Sequence, residues 1–301
     1  MYEDLLTRAV SADGSVRILF INSKNIVEKA RVIHSLTPTT TALLGRALTG
    51  CSLMSSLLKD KDNSLTLQIK GDGPVGRVTC VGDYMGNVKG YLSAPDVDLP
   101  LNPMKKLDVG GAVGHNGTLC VIKDLGLKEP YIGMSSLVSG EIAEDITQYF
   151  ASSEQTPSVC GLGVLVGVDR SVEQAGGFLV QLLPGADDGV IDILEGNISR
   201  IPSVTSLLSE GKTNVEIIDM IFEGIPYDIF DEIPVFYRCG CSQEKFEKAI
   251  VGLGAKEIRE MYDENKTQTA VCHFCNSEYS FTHERLGELL NIAENAGRKE
   301  D

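Results

Sequence analysis

Four of the chain's eight cysteines fall in two tight pairs between Arg238 and Phe281. Cys239-Gly240-Cys241 is a C-x-C pair and Cys272-His273-Phe274-Cys275 a C-x-x-C pair, with the thirty residues 242–271 between them. A lone C-x-x-C constrains little, but two pairs at this spacing match a four-cysteine zinc site. Zinc takes four thiolate sulfurs at the corners of a tetrahedron, and each short pair presents two ligands at small entropic cost. Three roles fit the pattern. A closed four-thiolate site is usually structural, because catalytic zinc keeps an open position. The same pairs can close into disulfides, and a one-residue spacer makes a strained, labile one, which gives a redox role. A nucleic-acid zinc ribbon is the third. His273 and His283 offer substitute ligands, but four cysteines already complete the shell, so a solvent-facing or supporting position is expected of each.

Charge weighs against the ribbon. Twenty-seven Lys and Arg against 42 Asp and Glu leave a net charge of −15, which disfavours non-specific attraction to nucleic acid and favours solubility. No apolar run reaches the roughly 18 residues of a membrane helix. The opening MYEDLLTRAV lacks the basic region and apolar stretch of a secretion signal. A cytoplasmic protein without membrane association is therefore expected. There thiols stay reduced, so the paired cysteines should hold metal at rest. The 301 residues suffice for one large domain or two to three smaller ones.

Periodicity predicts an α+β fold. Met1 to Ala12 reads as a short helix or an extended arm, and Val16 to Ile21 as a strand after the Asp13-Gly14 turn. Ile26 to Leu36 is helical and stops at Thr37-Pro38. From Thr39, Leu44, Ala47, Leu48, Cys51, Met54 and Leu58 recur at helical steps, with Gly45 and Gly50 permitting close approach of a neighbour. The period then becomes two, giving strands at Leu65–Ile69, Arg77–Val81, Asn87–Leu92 and Gly117–Lys123, with Pro95 to Gly117 irregular. Gly71-Asp72-Gly73-Pro74-Val75-Gly76 matches G-x-G-x-x-G, but strand-like residues follow it where a dinucleotide site needs a helix, so it reads as hairpin turn. Glu141 to Phe150 is a helix whose Glu141, Glu144 and Asp145 complement its dipole; no hydrolase, P-loop or metalloprotease motif accompanies them. Val159 to Val168 and Gly177 to Leu183 are expected to complete one sheet with the preceding strands. Cys51, Cys80, Cys120 and Cys160 stand alone and read as small core residues.

The chain changes character near Leu183-Pro184-Gly185. Short, acidic, amphipathic helices follow through Met220, each marginal alone and needing a surface to pack on. Ile233 to Tyr237 leads into the cysteine module, where Ser242 caps a helix bearing Phe246, Ala249 and Ile250. The expected organisation is an α/β core domain over 1–184, a helical linker domain over 185–233 and a C-terminal zinc-binding redox-switch domain over 234–301.

These residues carry a resemblance. Thr41-Ala42-Leu43-Leu44-Gly45-Arg46, Lys70-Gly71-Asp72-Gly73-Pro74, Lys123-Asp124-Leu125-Gly126, Ser139 to Asp145 and Ser153 to Ser158, together with Tyr237-Arg238-Cys239-Gly240-Cys241-Ser242 and Cys272-His273-Phe274-Cys275, closely resemble the redox-regulated heat-shock chaperones called 33 kDa chaperonins. The resemblance implies an ATP-independent holdase, not an enzyme, that binds unfolded or partly folded client proteins under stress. It implies one Zn2+ held by Cys239, Cys241, Cys272 and Cys275 in the reduced state. Oxidants such as hypochlorite would close disulfides Cys239–Cys241 and Cys272–Cys275, release the zinc and unfold the C-terminal domain and linker. A homodimer in the active state is implied as well. No residue is nominated for client contact. Two other functions compete: a thiol-disulfide oxidoreductase, which would turn over without zinc, and a zinc-dependent interaction module indifferent to oxidation.

Overall fold

The computed structural model describes residues 3–297. It divides after Arg238 into two compact units. In the first, strands β1 (Leu5–Ser11) and β2 (Val16–Asn22) precede helices α1 (Lys24–His34) and α2 (Pro38–Ser55). Strands β3 (Ser64–Lys70), β4 (Arg77–Asp83) and β5 (Val88–Leu92), the short helix α3 (Val109–Val113), β6 (Thr118–Asp124) and β7 (Tyr131–Ser136) come next. Helix α4 (Ala143–Ser152), β8 (Ser158–Val166) and β9 (Val172–Leu182) lead to α5 (Asp188–Arg200), α6 (Val204–Ser209), α7 (Asn214–Ile221) and β10 (Tyr227–Pro234). The second unit holds α8 (Gln243–Leu253), α9 (Ala255–Asp263), the hairpin β11 (Gln268–Val271) and β12 (Glu278–Phe281), and α10 (His283–Gly297).

The fold is α+β, but the first unit carries two five-stranded antiparallel sheets, not the single sheet expected. One has the order β10-β1-β2-β9-β8 and the other β5-β4-β3-β6-β7. The apolar pattern of β8 and β9 is the same whichever sheet they join, and only non-local pairing with β2 decides. Helix α2 contacts strands of both sheets. It begins with Pro38 in the first turn and a reciprocal Thr37–Thr40 cap. Its anticipated stripe is in fact burial on nearly every side, as befits a helix enclosed all round. Gly45 lies against Val27 and Val164, and Gly50 against Ile146, where any Cβ would collide with those side chains.

Three local readings need revision. Met1 to Ala12 contains strand β1, paired with both β2 and β10, so the helical option fails. Strand β7 escapes a periodicity search because its pattern is inverted. Gly133 and Ser135 point inward, where Tyr149 packs on the glycine, while Ile132 and Met134 are exposed. Asp145 does more than complement a dipole. It is fully buried and accepts amide hydrogens from Val138, Ser139, Gly140 and Ile142, so it organises the whole entry to α4.

The first sheet is covered on both faces, and β2 shows how. Leu19 and Ile21 join the core around α2, while Val16, Ile18 and Phe20 face a second cluster with Phe178, Leu207, Ile217 and Ile218. Helices α5 to α7 thus cover one face of this sheet. Buried amides fasten them: Asn197 Nδ2 donates to the carbonyls of Ile221 and Glu223 at 3.0 and 2.8 Å. Asn214 Nδ2 donates to the Leu5 carbonyl and to Thr7 Oγ1, both at 3.0 Å.

Asn214→Ala removes both of these hydrogen bonds to β1, a loss of about 1–3 kcal/mol. Hydrogen exchange of the α7 amides is expected to speed up by on the order of tenfold or more, with the metal content of the protein unchanged. Unaltered exchange would show that apolar contact alone holds the helix.

Candidate metal centre

The second unit is small. Among the described residues its buried apolar side chains are Ile258, Phe281, Leu286, Leu289, Leu290 and Ala293, alongside Cys272, and α8 buries none fully. So thin a core gives little stability of its own. An ion-pair clasp adds to it: Arg285 of α10 donates through Nε and Nη2 to both carboxylate oxygens of Glu247 on α8, at 2.9 and 2.7 Å.

The cysteines lie at two turns. Cys239 and Cys241 precede α8, where the Ser242 hydroxyl caps the helix by accepting from the Lys245 amide and Lys245 Nζ donates to the Gly240 carbonyl at 2.6 Å. Cys272 and Cys275 lie in the connection between β11 and β12. The Cys272 amide donates to the Ser277 carbonyl at 2.9 Å, and the Cys272 carbonyl accepts from the Asn276 amide at 2.8 Å and the Cys275 amide at 3.3 Å. Asn276 closes this knuckle in a left-handed conformation, at φ 54°.

All four Sγ atoms fall within 4.8 Å of one another. The Cys239–Cys272 and Cys241–Cys275 pairs are 3.7 and 3.3 Å apart. A tetrahedron with metal–sulfur bonds of about 2.3 Å has edges of about 3.8 Å, so the donor set fits a zinc-sized ion and its softness suits one. Cys272 is buried and the other three are half-buried.

Surrounding groups are arranged around the sulfurs. Tyr279 Oη donates to Cys241 Sγ at 3.0 Å, and its ring stacks on Phe246 with centroids 4.7 Å apart. That hydrogen bond pushes the phenol up to about 12, so it stays a donor. Burial pushes the Cys239 thiol up to about 12, against an opposing hydrogen bond from the Cys241 amide. Burial also raises Cys272, opposed by the amides of Phe274 and Cys275. At Cys275 burial acts upward too, but the Ser277 hydroxyl and amide and the neighbouring cysteines outweigh it and bring the thiol to about 7. One sulfur is thus poised as a nucleophile while others hold their protons until a cation displaces them.

The remaining residues singled out in the sequence lie elsewhere. His273 is exposed, and His283 stacks on Tyr262 with ring centroids 4.0 Å apart. Cys51 and Cys80 are wholly buried and their thiols raised by desolvation; Cys160 is pushed up to about 12 and Cys120 also upward by the same cause. These four are protonated and poorly nucleophilic. Tyr279, Ser277 and Lys245 were not anticipated, because they act through hydrogen bonds that no spacing rule encodes.

The chain is similar to known proteins over nearly its whole length. The family model described as "Hsp33 protein" matches residues 4–282. The 33 kDa chaperonin of Clostridium tetani is 47% identical over 97% of this chain and 99% of its own. That of Caldanaerobacter subterraneus subsp. tengcongensis is 49% identical, over 97% and 99%. The crystal structure of the 33 kDa chaperonin from Thermotoga maritima superposes with a TM-score of 0.89 at 38% identity, covering 98% of this chain and all of that one.

Two outcomes follow from the geometry. Cys239 and Cys272 at least surrender protons on metal capture, so zinc affinity should fall by about 100-fold or more per pH unit below pH 8, and more steeply below 7 where Cys275 also takes up a proton. Chelator competition across pH 6 to 8 measures this, and a flat profile would mean the thiols are already ionised. Tyr279→Phe keeps the stacking but removes the donor to Cys241; a roughly 10-fold loss of zinc affinity is expected.

Proposed function

The chain belongs to the Hsp33 family, and we propose on that basis that it is an ATP-independent, non-enzymatic holdase switched on by oxidation of Cys239, Cys241, Cys272 and Cys275. It is a chaperone, and its partners are unfolded or partly folded client proteins. The observation that carries the redox part is the meeting of four sulfurs within 4.8 Å in a unit with a small apolar core.

In the resting state the four cysteines would hold one Zn2+ as thiolates, in a reducing cytoplasm. A bound zinc supplies a closed electrostatic clamp, with an apparent contribution of about 10–16 kcal/mol in small structural sites, much of it folding energy. Once the metal is loosened, Cys275 is the sulfur most readily ionised and so most ready to meet an oxidant. Oxidation joins Cys239 to Cys241 and Cys272 to Cys275. Each new S–S bond passes two electrons to one hypochlorous acid, which leaves as chloride and hydroxide. The donor set is then gone, and the C-terminal domain, 234–301, loses what its core cannot replace. With it the linker domain, 185–233, leaves the core domain, 1–184, and uncovers the sheet face carrying Ile18, Phe20, Phe178 and Val180. A homodimer is the proposed active form.

Light scattering of a heat-unfolded client tests this. The hypochlorite-treated protein should suppress aggregation while releasing zinc, and the reduced, zinc-loaded protein should not. Cys239→Ser and Cys272→Ser should each weaken zinc binding and blunt the difference between the two states. Equal suppression in both states would reduce the sulfur cluster to a structural knob, and peptide mapping of the oxidised chain would expose any other disulfide pairing.

A further inference from the structure

The residues just before Cys239 run along the outer edge of β5 and join it through one parallel bridge, Val88 to Tyr237. The Val88 amide donates to the Phe236 carbonyl at 3.0 Å, and the Arg238 amide donates to the Val88 carbonyl at 2.8 Å. Side chains alternate along the segment: Val235 and Tyr237 are 1% and 3% exposed, Phe236 48%. The Tyr237 phenol then serves where a further strand residue would. Its Oη donates to the Gly90 carbonyl at 2.9 Å and accepts from the Gly90 amide at 3.4 Å. Lys29 Nζ grips the Tyr237 carbonyl at 3.1 Å, and Asn87 Oδ1 accepts the Phe236 amide at 3.1 Å.

Lifting this segment away leaves β5 as a bare edge, with the amides and carbonyls of Val88 and Gly90 in line beside two vacated apolar seats. An edge of that kind is a template for an extended chain. Main-chain groups bind any sequence, and seats two residues apart select side chains. We propose that this edge is a client-binding slot, that its occupant in the active protein is an extended client segment of pattern aliphatic-x-aromatic, and that Val235–Arg238 occupies it at rest as an internal competitor. The proposal rests on the chaperone reading above and gives it an address.

The present occupant shows what the slot accepts. It also shows why occupancy should depend on the sulfur unit. The segment is held at one end by β10 and at the other by Cys239, the first residue of that unit. A segment fixed at both ends competes at high effective concentration. Unfolding beyond Cys239 frees one end, and departure of β10 with the linker frees the other, so leaving the slot regains conformational entropy and an incoming chain meets a weaker rival. A native protein hides its aliphatic-x-aromatic runs in sheets, so only an unfolding one presents them.

The test uses the full chain in both redox states and a fluorescein-labelled peptide, Ile-Pro-Val-Phe-Tyr-Arg-amide, copying residues 233–238. Fluorescence anisotropy should show binding about tenfold or more tighter to the hypochlorite-oxidised protein than to the reduced, zinc-loaded one. Replacing the peptide's tyrosine by alanine should weaken it by about tenfold. Hydrogen exchange at the Val88 and Gly90 amides should be slow in the reduced protein, fast after oxidation, and slow again with peptide. Val88→Pro removes the outward amide and should abolish peptide binding; if that variant misfolds, exchange on the unsubstituted chain still decides. Persistent protection of Val88 after oxidation, equal binding to both states, or binding that leaves Val88 unprotected would each overturn the slot. Aggregation suppression undiminished by saturating peptide would overturn it too while leaving the holdase function intact. Peptide held at Val88 by an oxidised protein that cannot suppress aggregation would instead sink the holdase reading and keep the slot.

Discussion

Four sulfur atoms gathered within 4.8 Å are stable only if something answers them. As thiolates they repel, and as thiols they are weak hydrogen-bonding groups crowded into a half-buried site. A soft dication resolves the crowding by accepting all four. Covalent bonding between sulfurs resolves it by removing charge and proton together. The two solutions exclude each other, because a disulfide sulfur is no longer a thiolate ligand. Whatever the second unit does under oxidising conditions begins with that exclusion, since its apolar core is too small to make the choice inconsequential.

The first unit is built on the opposite principle. Its core runs without a break from one sheet through α2 to the other, and includes Leu6, Leu44, Leu67 and Val121. No cysteine there has a lowered thiol, and Cys51 and Cys80 are sealed in the interior. On the proposed mechanism, an oxidant that dismantles the small unit would have little to attack in the large one. The whole chain's net charge of −15 suits a protein that would then have to stay dissolved with apolar surface exposed.

Much of this was legible before any coordinates. The two cysteine pairs announced the sulfur cluster, because ligand spacing is a local property that chain folding only has to respect. The same locality made α1, α2, β3, β4, β6 and the cap at Ser242 readable. What failed was non-local or inverted. Nothing in Val159–Leu165 says that the partner of β8 is β9 on the sheet of β2. Strand β7 turns glycine and serine inward to admit Tyr149, reversing the expected alternation. Asp145 looked like one of three acidic residues on a helix, yet it alone is buried against four amides. At the sulfur site, the Tyr279 donor depends on β12 folding back along β11, a hairpin contact invisible in a list of spacings.

The pairing of the cysteines decides the direction of any redox response. Two close sulfur approaches run between the motifs, from Cys239 to Cys272 and from Cys241 to Cys275. A bond of that kind joins residues 33 positions apart and would stabilise the unit by about 3–4 kcal/mol through loop closure, fastening α8, α9 and β11 together. Bonds within each motif close loops of one or two residues and constrain almost nothing of the unfolded chain. Oxidation across the motifs would thus lock the unit in place of the metal, and oxidation within them would set it loose. Local closure has the advantage once the fold begins to open, because Cys239 and Cys241 stay neighbours in any conformation while Cys239 and Cys272 do not. The nucleophile poised at Cys275 is three residues from Cys272, so the first bond can form inside its own knuckle and leave the second pair without a partner across the site. On the proposed pairing, two short pairs are the arrangement that would turn oxidation into unfolding.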